Sequence, residues 1–128
     1  MTAVASIIGV GVDVVEVARL REAMERQEGR FAGKIFTDAE IAYCRARKHP
    51  FEHFAARFAA KEAVAKALQT GWSGVFQWKD VEVMNDPSGA PHVLLHNKMA
   101  EQLRGKQIHL SLSQTQSTVI AFAVIESI

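Results

Sequence analysis

Residues 51–70, FEHFAARFAAKEAVAKALQT, constrain the fold more than any other stretch of the chain. Ala, Leu, Lys, Arg and Glu dominate it, and all are strong helix formers. Pro50 precedes it, where a missing N–H costs nothing, and Gly71 follows, where helices commonly stop. At about 100° per residue, Phe51, Phe54, Phe58 and Ala65 share one face, with Ala55 at one edge and Leu68 beyond the other. Glu62 projects into the middle of that apolar face, where a carboxylate is costly unless its charge is compensated. Lys66 lies four residues on, and Arg57 and Lys61 line the flank shared with Leu68. A core-facing acid beside three cations calls for a physical reason.

The rest of the chain limits what that reason can be. Its 128 residues suffice for one domain, 1–128, with a real core. At 48% hydrophobic and 23% charged residues the chain is globular rather than disordered. A formal net charge of +1 excludes nucleic-acid binding by bulk charge. The single cysteine, Cys44, rules out an intramolecular disulfide and suits a reducing compartment. No apolar run reaches membrane-spanning length. MTAVASIIGVGVD lacks the basic start of a signal peptide. The expectation is a soluble, cytoplasmic protein without membrane or nucleic-acid partners.

In chain order, Ser6–Val15 is β-branched and reads as a buried strand. Ile8, Val10 and Val12 alternate on one face; Ile7, Gly9, Gly11 and Asp13 share the other. The two glycines leave a bare strip where another backbone or a ligand can come close. Glu16–Gln27 is an amphipathic helix with Val17, Leu20 and Met24 as its stripe, and Arg19 and Arg26 project elsewhere from it. Thr37–Arg47 opens with a capping box, Thr37 and Glu40. After residues 51–70, Gly71–Gln77 reads as a loop. Lys79–Asn85 and Pro91–Leu95 read as strands joined by the Asp86–Gly89 turn. Asn97–Arg104 is a short helix ended by Gly105. Gln107–Ser113 alternates, with Ile108, Leu110 and Leu112 on one face and His109, Ser111 and Ser113 on the other. Thr118–Glu126 is a continuous apolar strand, expected at the centre of its sheet. The class is α+β, with helices followed by two hairpin-like strand pairs.

Read alone, Asp13 fits a helix cap as well as it fits a functional acid. Glu62 and Lys66 fit an ordinary ion pair on a solvent face, but less well on an apolar one. His109, Ser111 and Ser113 fit the wet side of a half-buried sheet. GVGVDVV is not a dinucleotide fingerprint, because the third glycine is missing, and nothing matches GxxxxGKS/T. No GxSxG elbow supports a hydrolase, and the five histidines and one cysteine give no zinc set. Two carboxylates with lysine and arginine do suit metal-assisted phosphate chemistry. Mg²⁺ takes one or two protein carboxylates plus substrate phosphates, and Lys and Arg neutralise the remaining phosphate charge.

Three segments in order, IGVGVDVVEVARL, RFAAKEAVAKAL and IHLSLSQTQSTVIAFAVIE, resemble holo-acyl-carrier-protein synthase, the small bacterial 4′-phosphopantetheinyl transferase family. The paired signature is G-x-D-x-x-E near the start and F-x-x-K-E-A-x-x-K about fifty residues later. The resemblance implies an antiparallel sheet packed around one long helix. It implies Mg²⁺-dependent transfer of 4′-phosphopantetheine from coenzyme A to a serine of apo-acyl carrier protein, with release of adenosine 3′,5′-bisphosphate, serving fatty acid biosynthesis. It implies Asp13 and Glu62 as metal ligands and catalytic groups, with Lys66 facing the pyrophosphate and Lys61 beside it. Arg57 would reach coenzyme A phosphates, and His109, Ser111, Ser113, Gln114 and Thr115 lie on the strand and turn that meet the cofactor. Arg19 and Arg26 would meet the acidic carrier protein. The family is typically a homotrimer with sites between subunits. One departure is Gln114, where many members carry a second histidine; glutamine can hydrogen-bond a phosphate but adds no charge. Gln114 is also the one feature favouring the alternative, a noncatalytic module that binds coenzyme A or a carrier protein.

Overall fold

The computed structural model describes residues 6–27, 29–68 and 76–128. Along the chain run β1 (Ser6–Glu16), α1 (Val17–Arg26), α2 (Arg30–Ile35), α3 (Asp38–Arg45) and α4 (Pro50–Ala67). A 3₁₀ turn at Trp78–Asp80 leads to β2 (Val81–Asn85), β3 (Pro91–Leu95), α5 (Asn97–Gln102), β4 (Lys106–Gln114) and β5 (Thr118–Ser127). One sheet has the order β1-β5-β4, antiparallel throughout, and β2 and β3 form a separate antiparallel pair. The long helix α4 packs across β1 and β5, as the α+β expectation requires.

The glycine strip decides how close that helix comes. A Cβ on Gly9 would stand 1.8 Å from the carbonyl oxygen of Ala67, and one on Gly11 would stand 2.0 Å from that of Ala63. Helix backbone therefore lies directly on strand backbone, a contact only glycine permits. The helix side is correspondingly smooth, with Ala55, Ala59, Ala63 and Ala67 all buried. On β5, Val119, Ala121, Ala123 and Ile125 point into the same layer. Another backbone, rather than a ligand, fills the bare strip.

Several local expectations hold. Thr37 Oγ1 accepts from the Glu40 N–H at 3.1 Å, and Glu40 Oε1 accepts from the Thr37 N–H at 2.9 Å, completing the capping box. Val17, Leu20 and Met24 are the buried stripe of α1. β5 is the central strand, and both hairpin-like pairs form.

Two expectations are corrected, and one element went unread. β1 is not buried on its valine face: Val10 and Val12 are each 51% exposed and Val14 is 60% exposed, while Gly9 and Gly11 are buried. Residues 30–35 form a helix that no apolar periodicity announced, because six residues are too few to show a period. α4 is not amphipathic in the expected sense. It is enclosed on most sides, with eleven buried residues that include Arg57 and Lys61, while Phe51 and Phe58 are only partly buried. Gln69, Thr70 and most of the expected 71–77 loop lie outside the described residues.

Candidate active site

β1 and α4 each deliver one acid to the same place. Asp13 follows Gly11 by two residues, so it sits on the face of β1 that the helix covers. Lys66, near the end of α4, donates from Nζ to Asp13 Oδ1 at 2.9 Å and to the Val12 carbonyl oxygen at 3.1 Å. Glu62 stands one helical turn earlier on the same side. Burial pushes the Glu62 carboxyl above the usual glutamate range, the negative charge of Asp13 pushes it further, and Lys66 only partly opposes them. Asp13 has its lysine; Glu62 has a like charge beside it and no salt bridge of its own among the described residues. That imbalance is what a divalent cation would relieve.

Asp13 and Glu62 line a cavity of about 340 Å³ together with Glu16, Arg19, Phe31 and Phe58. A larger one, about 540 Å³, lies by the start of α4 among Arg21, Lys48, His49 and Glu52. Its lining has one acid, Glu52, whereas the smaller cavity brings Asp13 and Glu62 together. Among the described residues no cluster of three or more His, Cys, Asp or Glu could hold a metal ion. Two carboxylates are nevertheless a sufficient protein share for Mg²⁺ when substrate phosphates and water supply the other oxygens. The oxygen-only donor pair fits that ion and does not fit zinc.

The two flanking cations are not where a solvated flank would put them. Lys61 is fully buried; its Nζ forms an ion pair with Glu40 Oε1 at 2.7 Å and donates to the Trp78 carbonyl oxygen at 2.9 Å. Both partners are protein, so the expected place of Lys61 beside a pyrophosphate is corrected: it is a core residue. Arg57 is 4% exposed, donates from Nη2 to Asn85 Oδ1 at 3.0 Å and stacks on the Tyr43 ring. Its Nε is buried without a hydrogen-bond partner among the described residues. Neither residue lines the Asp13–Glu62 cavity.

β4 carries its polar row on the opposite face of the sheet. His109, Ser111 and Ser113 pair with Val124, Phe122 and Ile120, on the face turned away from α4. His109 Nε2 is 2.9 Å from Glu126 Oε1. Gln114 pairs with Val119, which pairs with Val15, so it shares the Asp13 end of the sheet but lies two strands away, roughly 10 Å. Thr115 Oγ1 accepts from the Thr118 N–H at 3.1 Å and shapes the turn into β5. Within one chain these residues are therefore not gathered with the acids. Arg19 lines the acid cavity, whereas Arg26 is exposed in the last turn of α1. The sequence reading missed the partners of the buried cations, Glu40, Tyr43 and Asn85. The only signal for any of them was the capping-box position of Glu40.

Residues 9–123 match the profile of the 4′-phosphopantetheinyl transferase superfamily. The chain is 44% identical over 123 residues to the holo-acyl-carrier-protein synthase of Koribacter versatilis, covering 94% of this chain and 98% of that one. It is 49% identical over 121 residues to that of Desulforudis audaxviator, covering 92% of each. Among solved structures, the synthase from Neisseria meningitidis superposes with a TM-score of 0.85 at 32% identity, over 94% of this chain and 98% of that one. The synthase from Bacillus anthracis in complex with coenzyme A (3′,5′-ADP) superposes at 0.81 with 31% identity, over 95% and 98%. With the acid pair, its lysine and the fold all in place, the chain belongs to the 4′-phosphopantetheinyl transferase superfamily.

Proposed function

We propose that this protein is a holo-acyl-carrier-protein synthase, transferring 4′-phosphopantetheine from coenzyme A to a serine of apo-acyl carrier protein. The observation that carries this reading is the meeting of Asp13 and Glu62 at one cavity, with Lys66, 53 residues from Asp13 in sequence, paired to Asp13 beside it. The serine oxygen forms the new bond to the phosphopantetheine phosphorus as the bond to the leaving adenosine 3′,5′-bisphosphate breaks. Mg²⁺ held by Asp13 and Glu62 would balance charge on the diphosphate during that exchange. Lys66, half-exposed beside Asp13, is placed to neutralise a phosphate oxygen at the same spot. The half-buried setting strengthens each of these interactions relative to water.

The assignment of Arg57 to a coenzyme A phosphate rests on the family resemblance alone, because within one chain its guanidinium is buried against Asn85 and Tyr43 and away from the acid cavity. Arg19, exposed at the mouth of the cavity, supports an acidic carrier protein docking along α1, with Arg26 at the far end of that helix. His109, Ser111 and Ser113 stand on the other sheet face, Thr115 in the turn, and Gln114 on the acid face but two strands from Asp13, so as a group they meet a coenzyme A at this site only if it lies between copies of the chain. The exposed valine face supports that arrangement. Val10, Val12 and Val14 continue across the sheet into Ile120 and Phe122, an apolar surface of the kind that marks an interface. The assembly proposed is a homotrimer.

Mass spectrometry of apo-acyl carrier protein incubated with coenzyme A and Mg²⁺ tests the function. One added phosphopantetheine group per carrier supports it; an unchanged mass leaves a noncatalytic binding module. Asp13→Ala and Glu62→Ala must each abolish the mass shift while remaining folded. Full activity in either variant removes the metal assignment.

A further inference from the structure

Lys61 and Glu62 are consecutive, so their side chains leave α4 about 100° apart. Glu62 turns toward β1, and Lys61 is fixed on the side where α3, β2 and the Trp78 turn pack. We propose that the buried Glu40–Lys61 ion pair is a positioning device that sets the rotation of α4 so that Glu62 faces Asp13. The proposal rests on the reading of Glu62 as a metal ligand.

Three observations carry it. First, the apolar packing of α4 has little shape with which to fix a rotation: seven of its eleven buried residues are alanine. Burial of apolar area is nondirectional, and a smooth helix on a glycine strip can turn or slide. Second, the Glu40 carboxylate joins three elements. Oε1 accepts from Lys61 Nζ at 2.7 Å and from the Thr37 N–H at 2.9 Å, and Oε2 accepts from the Val83 N–H at 2.8 Å. Lys61 is thus pinned to the start of α3 and to β2, with the Trp78 carbonyl as a second acceptor. Third, a buried ion pair is a poor way to gain stability, since its desolvation offsets its attraction, whereas setting a unique arrangement is the best-attested use of such pairs.

The test compares wild type with Glu40→Gln/Lys61→Met, a neutral pair of similar volume, and with Glu40→Gln alone in case the double variant fails to fold. Circular dichroism monitors folding, and Mn²⁺ affinity with saturating coenzyme A is read by electron paramagnetic resonance. The expected result is a folded variant whose Mn²⁺ dissociation constant rises about tenfold and whose kcat falls while KM for coenzyme A stays near wild type. Wild-type Mn²⁺ affinity and kcat in a folded variant overturn the proposal. So does loss of folding in both variants, which makes the pair a core strut and no more. Glu62→Gln separates the two levels of inference. If it binds Mn²⁺ normally, the metal reading fails and takes the proposal with it; if it loses Mn²⁺ while the neutral pair keeps it, only the proposal fails.

Discussion

Replacing Gly11 by alanine should damage the site more than the fold. The new Cβ would stand 2.0 Å from the Ala63 carbonyl oxygen and 2.7 Å from the Ala67 nitrogen. Both are backbone atoms of the last turns of α4, so no rotamer change relieves the clash. Ordinary contact begins at 3.4 Å, so β1 and α4 must separate by about 1.4 Å at this point. Overpacking of this kind costs about 1–3 kcal/mol, which a domain with the usual margin of roughly 5–15 kcal/mol survives. The site does not share that tolerance. Asp13 lies two residues beyond Gly11 on the strand, and Glu62 adjoins Ala63 on the helix. A shift of about 1.4 Å is most of a Mg–oxygen distance of about 2.0–2.1 Å, and a misplacement near 1 Å can cost about 100-fold in rate.

The assay is the initial rate of phosphopantetheine transfer, read alongside urea unfolding of the same preparation. The expected variant is folded, with a lower unfolding midpoint and kcat reduced about 100-fold. Gly33→Ala is the internal control. It lies within α2 with no described residue within 4 Å of its missing side chain, and should gain roughly 0.5–1 kcal/mol at full activity. A Gly11→Ala protein with wild-type midpoint and wild-type kcat would refute the close-contact argument, since no smaller rearrangement accommodates the Cβ.

Other consequences are simpler to state. Glu62 binds its proton more tightly folded than unfolded, so the fold is favoured below the ordinary glutamate range and loses that contribution as pH rises through the raised value. Glu62→Gln should therefore stabilise the metal-free protein, by a few tenths of a kcal/mol after solvent screening, with a gain in urea unfolding that is larger at pH 8 than at pH 5. A gain that shrinks with pH contradicts the sign. Phe122→Glu, on the exposed sheet face, should shift sedimentation from the proposed trimer to monomer without unfolding the chain; an unchanged profile would move the interface elsewhere. Burial raises the Cys44 thiol to about 12, so a thiol reagent should label it only as the protein unfolds, and rapid labelling of native protein would contradict its packing.

What the sequence revealed and what it hid divide along one physical line. Signals written in local chemistry were legible: the Thr37–Glu40 capping box, the α1 stripe, the β4 alternation and the two acids with Lys66. Signals that depend on what lies opposite were not. Hydrophobic periodicity assumes that apolar side chains mark the buried side, and α4 breaks the assumption because it is enclosed on most sides. There a lysine and an arginine are buried through Glu40 and Asn85, whose positions no spacing discloses. β1 breaks it in the other direction. Its glycines carry no hydrophobic signal yet are buried against a helix backbone, while Val10, Val12 and Val14 face outward. A valine row beside Ile120 and Phe122 has no reason to remain in water. The pattern is consistent with burial once a second copy is allowed. On that view the misread strand and the unassembled His109 row share one cause: a single chain holds only part of the surface on which the proposed reaction runs.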